Sequence, residues 1–292
     1  MSNGIAFKIT LPDPTFDAAW DAIKLPPAIK QRLIAQAILS LTMRRKVAFE
    51  IAPLHGIIAL AGPPGTGKTT IARGLASRVA GALKGETVTF LQIDPHGLAS
   101  AALGKSQQQV TTLFSRTIPE AGLRGPAIVL LDEVETLAAD RRRMSLEANP
   151  VDVHRATDAV LSGIDQLTRE HPHILLVATT NYPEAVDTAF LSRADLLEIF
   201  ALPGAEARAE IIADTLNGLA ETWPAVGQLK RDVGRFVTAS DGLDGRRLRK
   251  AIVGAAALSI ETARDPGMLT SNQILEALRG VAKNKGGCRE VA

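Results

Sequence analysis

Five short apolar runs divide the first two thirds of the chain, at residues 57–61, 88–93, 128–131, 174–178 and 197–202. Each is apolar throughout rather than alternating, which predicts strands buried on both faces. Between them, residues 68–79, 108–118, 153–167 and 184–191 carry apolar positions at helical spacing. Strands alternating with helices predict an α/β fold: a five-stranded parallel sheet between layers of helices. Upstream, Phe16, Trp20 and Ile23, then Ile29, Leu33, Ile34, Ala37, Ile38 and Leu41, recur three or four apart, and Pro26-Pro27 separates them into two helices. The first dozen residues show no comparable periodicity and leave a short edge strand and an arm both open. Beyond Pro203 the strand pattern stops, and residues 206–219, 226–237, 245–261 and 271–281 all read as helices. The expected division is an N-terminal arm and helices over 1–46, a large domain over 47–203, a small all-helical domain over 204–283 and a flexible tail over 284–292.

Composition narrows the class. Of 292 residues, 46% are hydrophobic and 22% charged, enough to bury a sizeable core. A net charge of +2 gives no overall field to draw the chain onto nucleic acid or an anionic membrane. The single cysteine, Cys288, makes no internal disulfide and no Cys/His metal spacing, which fits a reducing compartment. No secretory leader and no membrane-spanning run is expected, and a cytoplasmic protein is.

Gly62-Pro63-Pro64-Gly65-Thr66-Gly67-Lys68-Thr69 stands between an apolar run and a helical one, with Thr70 following. Glycines at these positions open backbone conformations that turn successive N–H groups inward on phosphate oxygens. The helix starting near Lys68 adds its positive N-terminal end. Lys68 is then the group for the terminal phosphates, and the Thr69 hydroxyl a ligand for Mg²⁺. Residues 62–70 are therefore the candidate ATP-binding loop.

The run at 128–131 ends in Asp132-Glu133. Acids close a buried strand at a cost unless they meet a cation or water. After a phosphate loop, Asp132 belongs with the Mg²⁺ shell, and Glu133 orients and polarises the attacking water. Asn181, ending the next strand, stands at the same carboxyl edge of the sheet, where ligands collect. Two arginines are candidates for the transition-state cation: Arg193, before the last strand, and Arg246, after Gly242-Leu243-Asp244-Gly245.

This ordered set resembles an AAA+ ATPase. More narrowly it resembles the pachytene-checkpoint (thyroid-receptor-interactor) family, which remodels HORMA-domain proteins. The likeness rests on Leu130-Leu131-Asp132-Glu133-Val134-Glu135-Thr136-Leu137, on residues 158–167, on Ser192-Arg193-Ala194-Asp195 and on residues 242–250, and extends upstream to residues 16–41. It implies that Arg193 serves a neighbouring subunit's site, that Arg246 touches nucleotide from its own subunit, and that the protein works as a homohexamer threading a chain through a central pore. The larger family members carry a long N-terminal recognition domain. With barely fifty residues before the first core strand, this chain resembles the compact bacterial form found in cyclic-oligonucleotide antiphage operons. That resemblance implies a HORMA-domain substrate bound to a nucleotidyltransferase.

The family places an aromatic in its first pore loop. Here the segment reads Ser100-Ala101-Ala102-Leu103-Gly104, and Leu103 alone offers apolar bulk. The nearby His96 fits a structural histidine at a strand end or a substrate contact. Arg141-Arg142-Arg143 falls where a second pore loop is expected, and six copies would make a basic ring for an acidic segment. Three charges are too few to argue for nucleic acid. Two other readings of the residues stay open: a DNA-linked loader of the same class, disfavoured by the near-neutral charge, and a nucleotide-gated scaffold, disfavoured by the intact acids and arginine.

Overall fold

The computed structural model describes residues 4–95, 98, 105–140 and 150–287. Ala101, Ala102, Leu103, Arg141, Arg142, Arg143, His96 and Cys288 lie outside the described residues.

Six strands form one sheet: β1 (Ile5–Leu11), β2 (Ile57–Ala61), β3 (Val88–Ile93), β4 (Ala127–Leu131), β5 (Ile174–Thr180) and β6 (Leu196–Ile199), in the order β1-β3-β4-β5-β2-β6. The five strands from β2 to β6 pair in parallel. A sixth, β1, joins the edge antiparallel to β3, with Ile9 opposite Phe90 and Leu11 opposite Val88. Its residues alternate inward and outward along its length, as an edge strand with one covered face should.

The two faces of the sheet carry separate cores. Ala127, Val129 and Leu131 of β4 point into one, with Leu176 and Ala178 of β5. Ile128 and Leu130, with Leu175 and Val177, point into the other. The period of two thus puts every second residue of a continuous apolar run on each side. The first face is covered by helices α4 (Lys105–Thr112) and α5 (Pro150–Glu170), through Val110, Leu161 and Ile164 among others. The second is covered by α1 (Pro14–Ala22), α2 (Pro27–Met43) and α3 (Lys68–Ala82), through Trp20, Leu33, Leu41, Ile71 and Leu75. Asp13 caps α1, its carboxylate accepting from the backbone of Thr15 and Phe16.

The chain divides into two compact units, Met1–Gly62 with Lys68–Phe200, and Pro63–Gly67 with Ala201–Ala292. In the second unit α7 (Ala205–Ala220), α8 (Val233–Ala239), α9 (Gly245–Gly254), α10 (Ile260–Arg264) and α11 (Ser271–Gly287) follow the short α6 (Thr188–Leu191) of the first. Leu216, Phe236, Leu248, Ile252, Ile274 and Leu278 make its core. Two expected helices are interrupted. Residues Pro224–Asp232 form a 3₁₀ segment before α8. Val226 and Leu229 are both buried, and three residues per turn sets them on one side. Ser259, extended at φ −143, breaks the stretch expected over 245–261 and caps α10 by accepting from Thr262 N–H. The last helix runs on past residue 281 to Gly287, into the stretch read as a tail. Among the described residues, no helix is long and apolar enough to cross a membrane.

Candidate active site

The carboxyl ends of β2, β4 and β5 bring five of the sequence-chosen side chains together. β2 runs into the glycine loop, whose Gly62 N–H donates to Thr180 O of β5 at 3.2 Å. Gly62 has φ +143, and a Cβ there would come within 2.2 Å of Phe200 O, so both the conformation and the room exclude a side chain. Gly65 and Gly67 are also left-handed, at φ +82 and +93. The Thr66 hydroxyl turns back to Pro63 O at 2.9 Å and closes the loop on itself. Helix α3 then begins at Lys68, with Thr69 and Thr70 in its first turn.

Lys68 is 5% exposed. Its ammonium donates to Gly62 O at 2.6 Å and to Asn181 Oδ1 at 2.9 Å. Asn181 faces Glu133 with its other end, Nδ2 standing 3.4 Å from Glu133 Oε1. One amide therefore spans the loop lysine and the acid. The Thr69 hydroxyl donates to Asp132 Oδ1 at 2.8 Å.

Two groups around these acids were not among the sequence-chosen ones. Thr179, on β5, donates its hydroxyl proton to Asp132 Oδ1 and accepts from Glu133 N–H at 3.1 Å. Glu133 itself is left-handed, at φ 52 and ψ 56. Glu135 Oε1 accepts from the Asn181 backbone N–H at 3.1 Å, while its Oε2 is buried with no hydrogen-bond partner among the described residues. Away from this cluster, Asp165 on α5 was not chosen either. Thr179 stands two residues before Asn181, near the end of β5, so the period of two was the signal that pairs them.

Arg193 lies apart from this cluster in hydrogen bonding. Its Nε and Nη2 meet Asp165 Oδ1 and Oδ2 at 2.8 and 2.9 Å, and its Nη1 donates to Ala189 O at 2.7 Å. The pairing holds the Asp165 carboxyl below the usual carboxylate range and the guanidinium above its own. Two residues on, Asp195 clasps the entrance to β2. It accepts from the backbone of His55 at 2.8 Å and of Gly56 at 2.7 Å, and from the Ser40 hydroxyl at 3.2 Å. Buried Arg44 donates to Ile174 O at 2.7 Å beside it, and burial lowers its pKa to about 10. The segment bearing Arg193 is thus fastened to α2, α5 and the start of β2.

Arg246 lies in the first turn of α9 in the second unit. Asp244 caps that helix, Oδ1 accepting from Arg247 N–H at 2.9 Å. Within the same unit Asp244 leaves no room at Gly65, where a Cβ would meet its Oδ1 at 2.1 Å. The start of the helix carrying Arg246 therefore abuts the glycine loop.

The two oxygens of Thr69 and Asp132 suit Mg²⁺, a hard ion bound by hydroxyl, carboxylate and water. A glycine-rich loop leading into a helix N-terminus, a buried lysine, a metal-suited oxygen pair and the neighbouring Glu133 carboxylate are the kinds of group that phosphoryl transfer to water uses.

Residues 58–202 match the family described as ATPases associated with various cellular activities (AAA). CD-NTase-associated protein 6 of Pseudomonas aeruginosa is 50% identical over 281 residues, covering 96% of this chain and 92% of that protein. The pachytene checkpoint protein 2 homolog of Danio rerio is 29% identical over 278 residues, 87% of this chain, and the chain spans 65% of that longer protein. Among solved structures, C. elegans PCH-2 superposes with a TM-score of 0.77 at 22% identity, over 96% of this chain and 75% of that one. A chain of the E. coli MS115-1 HORMA:CdnC:Trip13 complex gives 0.74 at 20% identity, over 94% of this chain and 95% of that one. At those identities the structural likeness is one of fold.

Proposed function

The chain belongs to the AAA ATPase family, as a relative of CD-NTase-associated protein 6 and the pachytene checkpoint proteins, and from that footing we propose that it is an ATP-driven motor that remodels a HORMA-domain protein. The reading extends to a homohexamer acting in the cytoplasm on a HORMA protein bound to a nucleotidyltransferase, in antiphage signalling. The names of the relatives support it, in particular the HORMA:CdnC:Trip13 complex whose chain shares this fold.

The observation that carries the enzymatic part is the Asn181 amide spanning Lys68 and Glu133. It supports a site in which the cation for the terminal phosphates and the base for water are set against each other. Backbone N–H groups of residues 62–67 bind the phosphates, and the Lys68 ammonium neutralises the terminal ones. Thr69 and Asp132 would hold Mg²⁺, which would offset the phosphate charge. Glu133 orients the attacking water and takes its proton. Asn181 keeps that water and the lysine in register. Arg193 serves the site of the next subunit, where a guanidinium stabilises the transferring phosphoryl group. Arg246, in the unit that also holds residues 63–67, contacts the nucleotide from the same chain.

Phosphate release by the purified protein with Mg-ATP, set beside Glu133→Gln, tests the chemistry. The variant should bind ATP as the wild type does and lose turnover at least about 100-fold, the scale of a positioned general base. Equal turnover in both would remove Glu133 from the mechanism. The remodelling step is read by gel filtration of a HORMA–nucleotidyltransferase complex incubated with ATP. Dissociation by the wild type and none by the variant is expected, and a complex left intact by an active ATPase would rule out this substrate.

A further inference from the structure

Glu133 is the only described residue other than glycine with a positive φ, at 52. A side chain in the left-handed region is strained and persists only where its surroundings hold it. The Glu133 carbonyl accepts from Thr136 N–H at 2.9 Å, and on the N–H side the side chain that meets it is Thr179. The Glu133 N–H donates to Thr179 Oγ1 at 3.1 Å, and the Thr179 proton goes on to Asp132 Oδ1. That same Asp132 oxygen accepts from Thr69 at 2.8 Å. Thr179 is 2% exposed, so water does not compete for either bond.

A hydroxyl suits this place because it accepts and donates through one atom. It ties the acid that belongs with the metal to the backbone of the acid that belongs with the water, across two neighbouring strands. The left-handed turn at Glu133 lets the chain leave β4 while Glu133 Oε1 stays 3.4 Å from Asn181 Nδ2. Releasing the turn lets the backbone relax to an ordinary conformation and swings that carboxylate away.

We propose that Thr179 is a positioning residue for hydrolysis: its hydroxyl fixes the strained backbone of Glu133 and thereby aims the carboxylate at water. It acts through Glu133 and Asp132 and does not touch the nucleotide. The proposal rests on the reading that Glu133 orients the attacking water.

The test compares Thr179→Val, Thr179→Ser and Glu133→Gln with the wild type in the full-length protein. Measured are kcat, KM, affinity for a non-hydrolysable ATP analogue, and Tm. Valine keeps the shape and removes the hydroxyl, so kcat should fall about 10- to 100-fold, the scale set by misplacing a reacting group by about 1 Å. KM and analogue affinity should stay within about threefold of wild type, and Thr179→Ser should restore most of the rate. Wild-type kcat in Thr179→Val beside an inactive Glu133→Gln overturns the proposal. So does a serine variant as slow as the valine one, or a rate loss matched by equal losses in analogue affinity and Tm, which marks a structural role only. If Thr179→Val does not fold, Thr179→Ala removes the same hydroxyl without placing a new methyl and carries the same comparison. Normal turnover in Glu133→Gln instead removes the underlying reading, and the role of Thr179 with it.

Discussion

Arg193 is gripped by Asp165 at both ends of a carboxylate, Nε to Oδ1 at 2.8 Å and Nη2 to Oδ2 at 2.9 Å. The two-point contact, with a third bond to Ala189 O, leaves the guanidinium little rotational freedom. In the proposed role of Arg193 at a neighbouring subunit's site, this grip meets the ordering cost before assembly. Asp165→Asn should therefore slow turnover about two- to tenfold, corresponding to ~0.5–1.5 kcal/mol for one rotamer-rich side chain, with analogue affinity unchanged. Its effect on stability should stay within about 1 kcal/mol, since the Asp165 side chain is 40% exposed. Steady-state phosphate release and urea titration read the two effects. A variant with wild-type turnover would show that the pair is only structural.

A site shared between chains makes a stronger demand. Arg193→Ala alone should be inactive while still binding ATP, and so should Glu133→Gln alone. Mixed before assembly, the two should recover part of the wild-type rate, because some interfaces then join an intact Glu133 to an intact Arg193. Stoichiometric titration of one variant into the other measures this. Absence of any recovery would argue that Arg193 serves its own chain or none.

The frame of this protein was legible in its apolar runs. Residues 57–61 and 88–93 are strands end to end as read, because a fully buried parallel strand is apolar at every position. The turn between β2 and α3 was legible because Gly62, Gly65 and Gly67 open the left-handed backbone it takes, and α3 starts at Lys68 as read. β1 was left open although Ile5, Phe7, Ile9 and Leu11 do alternate. An edge strand has one covered face, and seven residues give a short record of that. Thr179 was not chosen, because its value comes from Asp132, 47 residues away, and from a backbone angle at Glu133 that no composition encodes. Asp165 is 28 residues from Arg193 and reads alone as one more acid on a helix.

Two glycines of α3 should respond to alanine with opposite signs. Gly74 lies under α1, where an added Cβ would come within 2.6 Å of Trp20 Cβ and 2.8 Å of its Cα. A backbone cannot yield as a side-chain tip can, so the overpacking cost exceeds the gain in helix propensity. Gly74→Ala should lose roughly 1–2 kcal/mol net. Gly81 has nothing within 4 Å of an added Cβ. Gly81→Ala should gain up to about 1 kcal/mol. Urea midpoints of both variants decide it, and a stabilised Gly74→Ala would mean that α1 packs more loosely than the structure has it.

His55 should make stability depend on pH in a stated direction. Its ring lies edge-on to Phe49, with centroids 5.1 Å apart, and its backbone N–H is held by Asp195. Burial is the main cause that lowers its pKa. Arg193 and Arg44 push the same way, and Asp195 and Asp165 push against them. His173 is lowered too, first by burial and then by His171. In the folded protein both imidazoles therefore stay neutral at a pH where the unfolded chain, near 6.5, has begun to take up protons. Between that value and the lower folded one the unfolded state binds more protons, so stability is full above 6.5 and falls as pH drops through the window. Urea midpoints of the wild type should decline from about pH 7 toward pH 5. His55→Gln and His173→Gln should each flatten the decline, and together more than either alone. Parallel curves for wild type and double variant would show that neither imidazole is held neutral by the fold.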